Sequence, residues 1–153
     1  MSNKRYNVQD LNKDIKKVLI KKMQYSKDKI LRMRITKIMK ELGMSPSLKG
    51  YHYIGDAIFM IIKNQEKILQ IGKLIYTQIA NEYETNICAV ERSIRTAIEI
   101  VIKNGNIEVI QKIFGYTINP DKGKPTNKEF IVTIAEKIKL EMDIVVKKYP
   151  RKA

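Results

Sequence analysis

The chain has 153 residues, 44% hydrophobic and 30% charged, and a net charge of +14. That is the composition of a soluble globular protein, long enough for one domain with a sizeable core plus an arm. The longest apolar run, Ala57 to Ile62, falls far short of the roughly 20 residues a membrane span needs, and a single cysteine, Cys88, excludes an internal disulfide and any multi-cysteine zinc site.

The charge gathers at the ends. Residues 1–34 carry eleven Lys/Arg against three acids and residues 142–153 four against one, while the long middle carries fifteen against twelve. Basic ends on a nearly balanced middle suit a polyanionic partner, with nucleic acid favoured over membrane. A lysine-rich coding bias is the competing explanation. Met1 to Asn7 is followed by no apolar core, so it is not a secretory signal, and a cytoplasmic, nucleoid-associated location is expected.

Strand signals are almost absent and apolar spacing is helical nearly throughout, which predicts an all-α fold. In the first segment Leu11, Ile15, Val18 and Leu19 form an apolar stripe beside Lys16, Lys17, Lys21 and Lys22. Such a stripe on a charged helix is not stable alone and is expected to pack on something. Leu31, Ile35, Ile38 and Leu42 continue at helical spacing to a C-cap at Gly43, and a loop spans Met44 to Lys49. Tyr53 to Lys63 reads as a buried helix, with Ala57, Ile58, Ile61 and Ile62 inward. Ile68 to Glu84 reads as a helix interrupted only by Gly72, with Leu74, Ile75 and Ile79 inward. Thr85 and Asn86 can cap the next helix, which ends at Asn104-Gly105. A short helix follows over Ile107 to Phe114, then a turn-rich loop from Gly115 to Pro125. Thr126-Asn-Lys-Glu129 is a capping box that opens the last helix.

The stretch that carries chemistry is Lys73 to Lys103. Two helices joined by a tight turn at Glu84 to Asn86 form a helix-turn-helix pattern. In its second helix Ile87, Val90, Ile94, Ala97, Ile98 and Val101 follow a 3-4 spacing and form the buried stripe. The opposite face presents Glu91, Arg92, Arg95, Thr96 and Glu99. Arg can donate a bidentate pair to guanine, and a carboxylate can accept from cytosine N4. Glu91 can instead clamp Arg95 as an i,i+4 pair. An ordinary solvated helix face is the competing reading of this pattern by itself.

A series of short stretches narrows the choice. It comprises Lys49-Gly50-Tyr51 with Ala57-Ile58; Ile79-Ala80; Val90-Glu91-Arg92 with Ile94-Arg95 and Ala97-Ile98-Glu99; Gly105-Asn106-Ile107; Phe114-Gly115-Tyr116-Thr117; and Lys124-Pro125-Thr126-Asn127 with Glu129-Phe130-Ile131. In order and spacing, residues 31–141 resemble the C-terminal DNA-binding effector domain of the stage-zero sporulation protein A family, a response regulator of endospore formation. The resemblance implies a compact multi-helix domain over 31–141; outside it the charge distribution leaves a basic helical extension at 1–30 and a basic tail at 142–153. It implies a transcription regulator that reads a TGTCGAA-like box in double-stranded DNA, often as two protomers in tandem. Base reading would fall to Glu91, Arg92 and Arg95. Ala89 stands where the family usually has a further base-contacting Arg, and Thr96 where it often has His. Phosphate contacts are expected from Lys49, Thr85, Asn86 and Lys124, and from Lys16, Lys17, Lys21 and Lys22 in the extension. The family also contacts the σ subunit of RNA polymerase, which points here to Val109, Gln111, Phe114 and Ile118. Only about 30 residues stand where the family has its phosphorylated receiver, so a phosphorylation switch of that kind is not expected.

A plasmid or mobile-element replication or partition factor, or a protein that titrates the full-length sporulation regulator, are the alternatives. No enzyme is expected, and no cofactor or metal. The one histidine, His52, lacks catalytic or ligand partners in the sequence and reads as a loop or helix-start residue. Cys88 reads as a small first-turn residue. Gly123-Lys124-Pro125-Thr126 lacks the glycine spacing of a phosphate loop. The eight scattered Tyr make no stacking platform for single strands.

Overall fold

The computed structural model describes residues 7–64, 71–115 and 123–148, with side chains through 143. Among the described residues there are six α-helices and no strand, as the apolar spacing predicts. The helices are α1 (Val8–Glu41), α2 (Lys49–Lys63), α3 (Tyr76–Glu82), α4 (Ile87–Asn104), α5 (Ile107–Phe114) and α6 (Asn127–Lys148). The chain divides into two compact units, Met1–Met33 and Arg34–Ala153.

The first unit contains the leading part of α1. Leu11, Ile15, Val18 and Leu19 are there 49%, 49%, 53% and 54% exposed, so the stripe expected to pack lies open to solvent in the single chain.

In the second unit the close of α1 follows from Gly43, whose φ of 83° suits a residue without Cβ. Its amide donates to the Lys40 carbonyl at 2.9 Å and the Met44 amide to the Met39 carbonyl at 3.0 Å, the paired bonds that satisfy a helix's last carbonyls. Helix α2 buries Ile54, Ala57, Ile58 and Ile61 on one face. It begins four residues earlier than Tyr53, and in its first turn Gly50 is buried against the backbone of α4 at Ser93. His52 sits in that first turn with its ring nitrogen 2.8 Å from the Pro46 carbonyl, as a helix-start residue.

The segment before α3 departs from expectation. Residues 68–70 lie outside the described residues, and a π-helical turn, Ile71–Ile75, precedes α3. A π turn inserts one extra residue into the helical register. Leu74, expected inward, is therefore 37% exposed, and Tyr76 takes the buried place beside Ile75 and Ile79. Helix α4 buries Val90, Ile94, Ala97, Ile98 and Val101 against α2, α3 and α6. Helix α5 opens on Asn106, whose side-chain oxygen accepts from the Glu108 and Val109 amides at 3.1 and 3.3 Å. The capping box at α6 forms as predicted: Thr126 Oγ1 accepts from the Glu129 amide at 3.1 Å, and the Glu129 carboxylate accepts from the Thr126 amide at 3.0 Å. Phe114 of α5 and Phe130 of α6 stack with ring centroids 4.9 Å apart.

Candidate nucleic-acid interface

Helix α3, a short turn and α4 form the helix-turn-helix. The turn is tight because the Thr85 amide reaches back to the Ala80 carbonyl at 2.8 Å, which places Glu84 at φ 52°. Few side chains favour that left-handed conformation, and no glycine announces it. Tyr83, just before it, donates its hydroxyl to the Asp56 carboxylate at 2.6 Å and meets the Tyr53 ring edge-on, which anchors the turn to α2. Asn86 then caps α4 by accepting from the Ala89 amide at 2.9 Å. Its side-chain oxygen is thus already engaged at the helix start.

With five residues of α4 fully buried, the side chains between them are held outward at fixed angles. They divide into two rows. Ala89, Arg92 and Thr96 share one row by their three- and four-residue spacing. Arg92, Ser93 and Thr96 line a shallow depression of about 230 Å³ together with Leu48, Lys49 and Gly50. Glu91, Arg95 and Glu99 form the second row. They line a cleft of about 560 Å³ with Tyr76, with Lys124 from the segment before α6, and with Asn127 and Lys128 from the start of α6. Lys49 therefore stands on one flank of α4, and Lys124 and Lys128 on the other.

The two rows differ electrostatically. In the second, Arg95 donates to Glu91 at 3.3 Å, the i,i+4 clamp, and Lys124 pairs with Glu99 across 25 residues of sequence. The Lys124 ammonium, through its hydrogen bond and then its charge, holds the Glu99 carboxyl below its ordinary pKa. In the first row Arg92 is exposed and has no ion-pair partner among the described residues. The second row is also fixed from behind. Asn127 donates its side-chain amide to the Glu91 main-chain carbonyl at 3.1 Å. The Tyr76 hydroxyl hydrogen-bonds with Asn127, and burial, the larger effect, pushes its pKa up.

The structure thus brings Glu91, Arg92, Arg95, Thr96 and Lys49 to one surface, with half-buried Ala89 at its leading end. Thr85 is half-buried in the turn. Lys16, Lys17, Lys21 and Lys22 are exposed on the first unit. Lys124 reaches the surface already paired rather than free. Sequence reasoning missed Lys128, Asn127 and Tyr76. Asn127 and Lys128 lie far from α4 along the chain, and only the fold reveals that α6 begins beside it; Tyr76, on the neighbouring α3, was hidden by the π-helical shift of register before that helix. Of the residues expected to reach polymerase, Gln111 is exposed and Val109 half-buried, and Ile118 lies outside the described residues. Phe114 is corrected: it is fully buried on Phe130 and is a core residue, not a surface contact.

Among the described residues no helix is long and apolar enough to cross a membrane, and no cluster of three or more His, Cys, Asp or Glu could hold a metal. A family model described as "Sporulation initiation factor Spo0A C terminal" matches residues 35–138.

Proposed function

The chain belongs to the sporulation initiation factor Spo0A C-terminal family, and from that premise we propose that it reads a TGTCGAA-like box by laying α4 in the major groove. The family is that of the DNA-binding effector domain of a sporulation regulator, so duplex DNA is the partner and transcription regulation the role. The observation that carries the finer reading is the outward face of α4, held over five buried residues and flanked by cations on both sides. A helix fills the major groove with phosphates along both edges, so a reading helix needs polar base-contacting groups on its ridge and cations beside it.

Arg92 and Arg95 donate to guanines. Glu91 accepts from a cytosine N4, or holds Arg95 in line. Thr96 and Ala89 contact the neighbouring base pairs with less reach than the family's usual residues. Lys49, Thr85 and Asn86 meet backbone phosphates, as do Lys124 and Lys128. Lys16, Lys17, Lys21 and Lys22 supply further phosphate contacts from the basic extension. Two protomers bind in tandem on adjacent boxes. The 153-residue chain does this without prior phosphorylation, and in the cell it sits on the nucleoid. An activating contact with the polymerase σ subunit falls to Gln111 and Val109 on α5.

Selection of bound sequences from random duplex DNA by the unphosphorylated chain tests this reading. Recovery of a TGTCGAA-like box supports it. Recovery of no preferred sequence refutes it.

A further inference from the structure

Two of the cations on this surface are already paired with carboxylates of α4 itself. Glu91 and Glu99 lie two helical turns apart on the same row, and each takes one cation: Arg95 within the helix, Lys124 from the segment that leads into α6. All four side chains are between 46% and 57% exposed, so the pairs stand in solvent where DNA would approach. Exposed pairs of this kind add little to stability. Nor does the fold need them, because Asn127 and the Thr126–Glu129 capping box already fix the start of α6 beside α4.

We propose that Glu99, with Glu91, is a specificity-determining residue that acts as a built-in counter-ion, neutralising Lys124 and Arg95 so that random duplex gains little from them. This rests on the reading of α4 as the base-contacting helix. A free lysine near DNA releases condensed counterions when it meets a phosphate, and that release drives sequence-independent binding. A lysine held by a glutamate must first exchange one anion for another. It also brings the glutamate's own repulsion toward phosphate. Random duplex offers phosphates alone, so exchange at Lys124 gains little. A cognate box offers base edges as well: guanine acceptors for Arg95 and a cytosine N4 donor for a carboxylate released from its pair. Exchange is then compensated on both sides. The glutamates subtract from affinity everywhere and subtract least at the right sequence. Specificity arises this way wherever a site penalises the wrong partner as well as favouring the right one. Arg92, with no ion-pair partner among the described residues, carries no such mask.

A double-mutant cycle on the full chain tests this, with random duplex as the probe and affinity measured across a salt series. Glu99→Gln should tighten random-duplex binding on the order of tenfold near 0.1 M salt, and steepen the slope of log affinity against log salt by about 0.9, one extra phosphate contact. Lys124→Gln alone should weaken random-duplex binding by clearly less than it does on the Glu99→Gln background, because the paired ammonium contributes little to phosphate contact. Placed on Glu99→Gln, it should remove the gain. General repulsion by Glu99 predicts instead that the two effects add, and additivity would overturn the proposal. So would an unchanged slope in Glu99→Gln. Circular dichroism of each variant establishes that the fold is intact. The wild-type protein separates the two levels of argument. If it does not discriminate a selected box from random duplex, the reading of α4 fails. If it discriminates and the cycle is additive, the counter-ion role alone fails.

Discussion

The crossing of α2 over α4 fixes where the outward face of α4 points, and Gly50→Ala probes it directly. Two effects oppose each other. Alanine is the better helix former, by up to about 1 kcal/mol within a helix and less in a first turn. Against this, a Cβ at Gly50 would overlap the Ser93 carbonyl oxygen and lie 2.7 Å from the Ala97 Cβ. Carbon atoms rest at about 3.5–4.0 Å, so the helices must part by roughly 1 Å. Overpacking costs about 1–3 kcal/mol, and the upper half of that range applies because the obstacle is backbone rather than a flexible side chain. The net loss is about 1–2 kcal/mol, which lowers Tm by several degrees at roughly 4–8 °C per kcal/mol for a domain near 100 residues. A displacement of that size also exceeds the ~0.5 Å tolerance of a preorganised site, so discrimination between selected and random duplex should fall. Gly55→Ala is the contrast on the same helix. Its Cβ would meet only the Ile35 Cγ2, at an ordinary 3.8 Å, so the helix-propensity gain should survive. Thermal unfolding by circular dichroism and competition binding measure both. If Gly50→Ala matches or exceeds wild-type Tm and keeps wild-type discrimination, the close crossing does not position α4.

Arg92→Ala and Arg95→Ala should each cost about 1–3 kcal/mol against a selected box with the helical content unchanged, and retention of wild-type sequence preference by both would show that another element reads the bases. Ala89→Arg should tighten binding to a TGTCGAA-type box by supplying the family's further arginine, a change visible as a lower Kd on that box and not on random duplex. Deleting residues 1–28 should weaken specific and random binding alike and flatten the salt slope by several units; a dimer-to-monomer change in sedimentation with the slope intact would instead make the segment a dimerisation helix. Because Lys124 holds the Glu99 carboxyl below its ordinary value of 4.5, the small stability their exposed contact adds is fully present above that value and is lost as pH falls through the lowered one. Lys124→Gln should move the Glu99 titration, followed by NMR, back upward.

What the sequence made legible was local. The Thr126–Glu129 capping box, the Asn86 cap and the span of α5 each depend on residues within four positions of one another, and each forms as its spacing predicts. The inward row of α4 was nearly as plain: five of the six apolar residues at 3-4 spacing are buried, whereas Ile87 in the first turn is 39% exposed. The register of the segment before α3 was not legible. Leu74 and Tyr76 fit an inward position about equally well by pattern. The π turn, whose register follows the burial of Tyr76 beside α4, decides between them. Phe114 shows the reverse error. A family role assigned it to the surface, but an aromatic on a short amphipathic helix gains far more from stacking on Phe130 than from facing water.

The electrostatics of the interface were hidden for a different reason. Net charge counts every Lys and Arg as available, and by that measure Lys124 and Arg95 belong with Arg92. Whether a cation can serve phosphate depends on which carboxylate stands next to it. For Arg95 the answer could be read four residues away along one helix. For Lys124 it required knowing that the segment leading into α6 lies beside α4. A basic protein can therefore present fewer usable cations on its reading surface than its composition suggests. If Glu91 and Glu99 act as counter-ions, the anions of α4 decide what the cations can do: unmasked, the cations would hold any duplex, whereas paired with Glu91 and Glu99 they give way most readily to bases able to replace both partners.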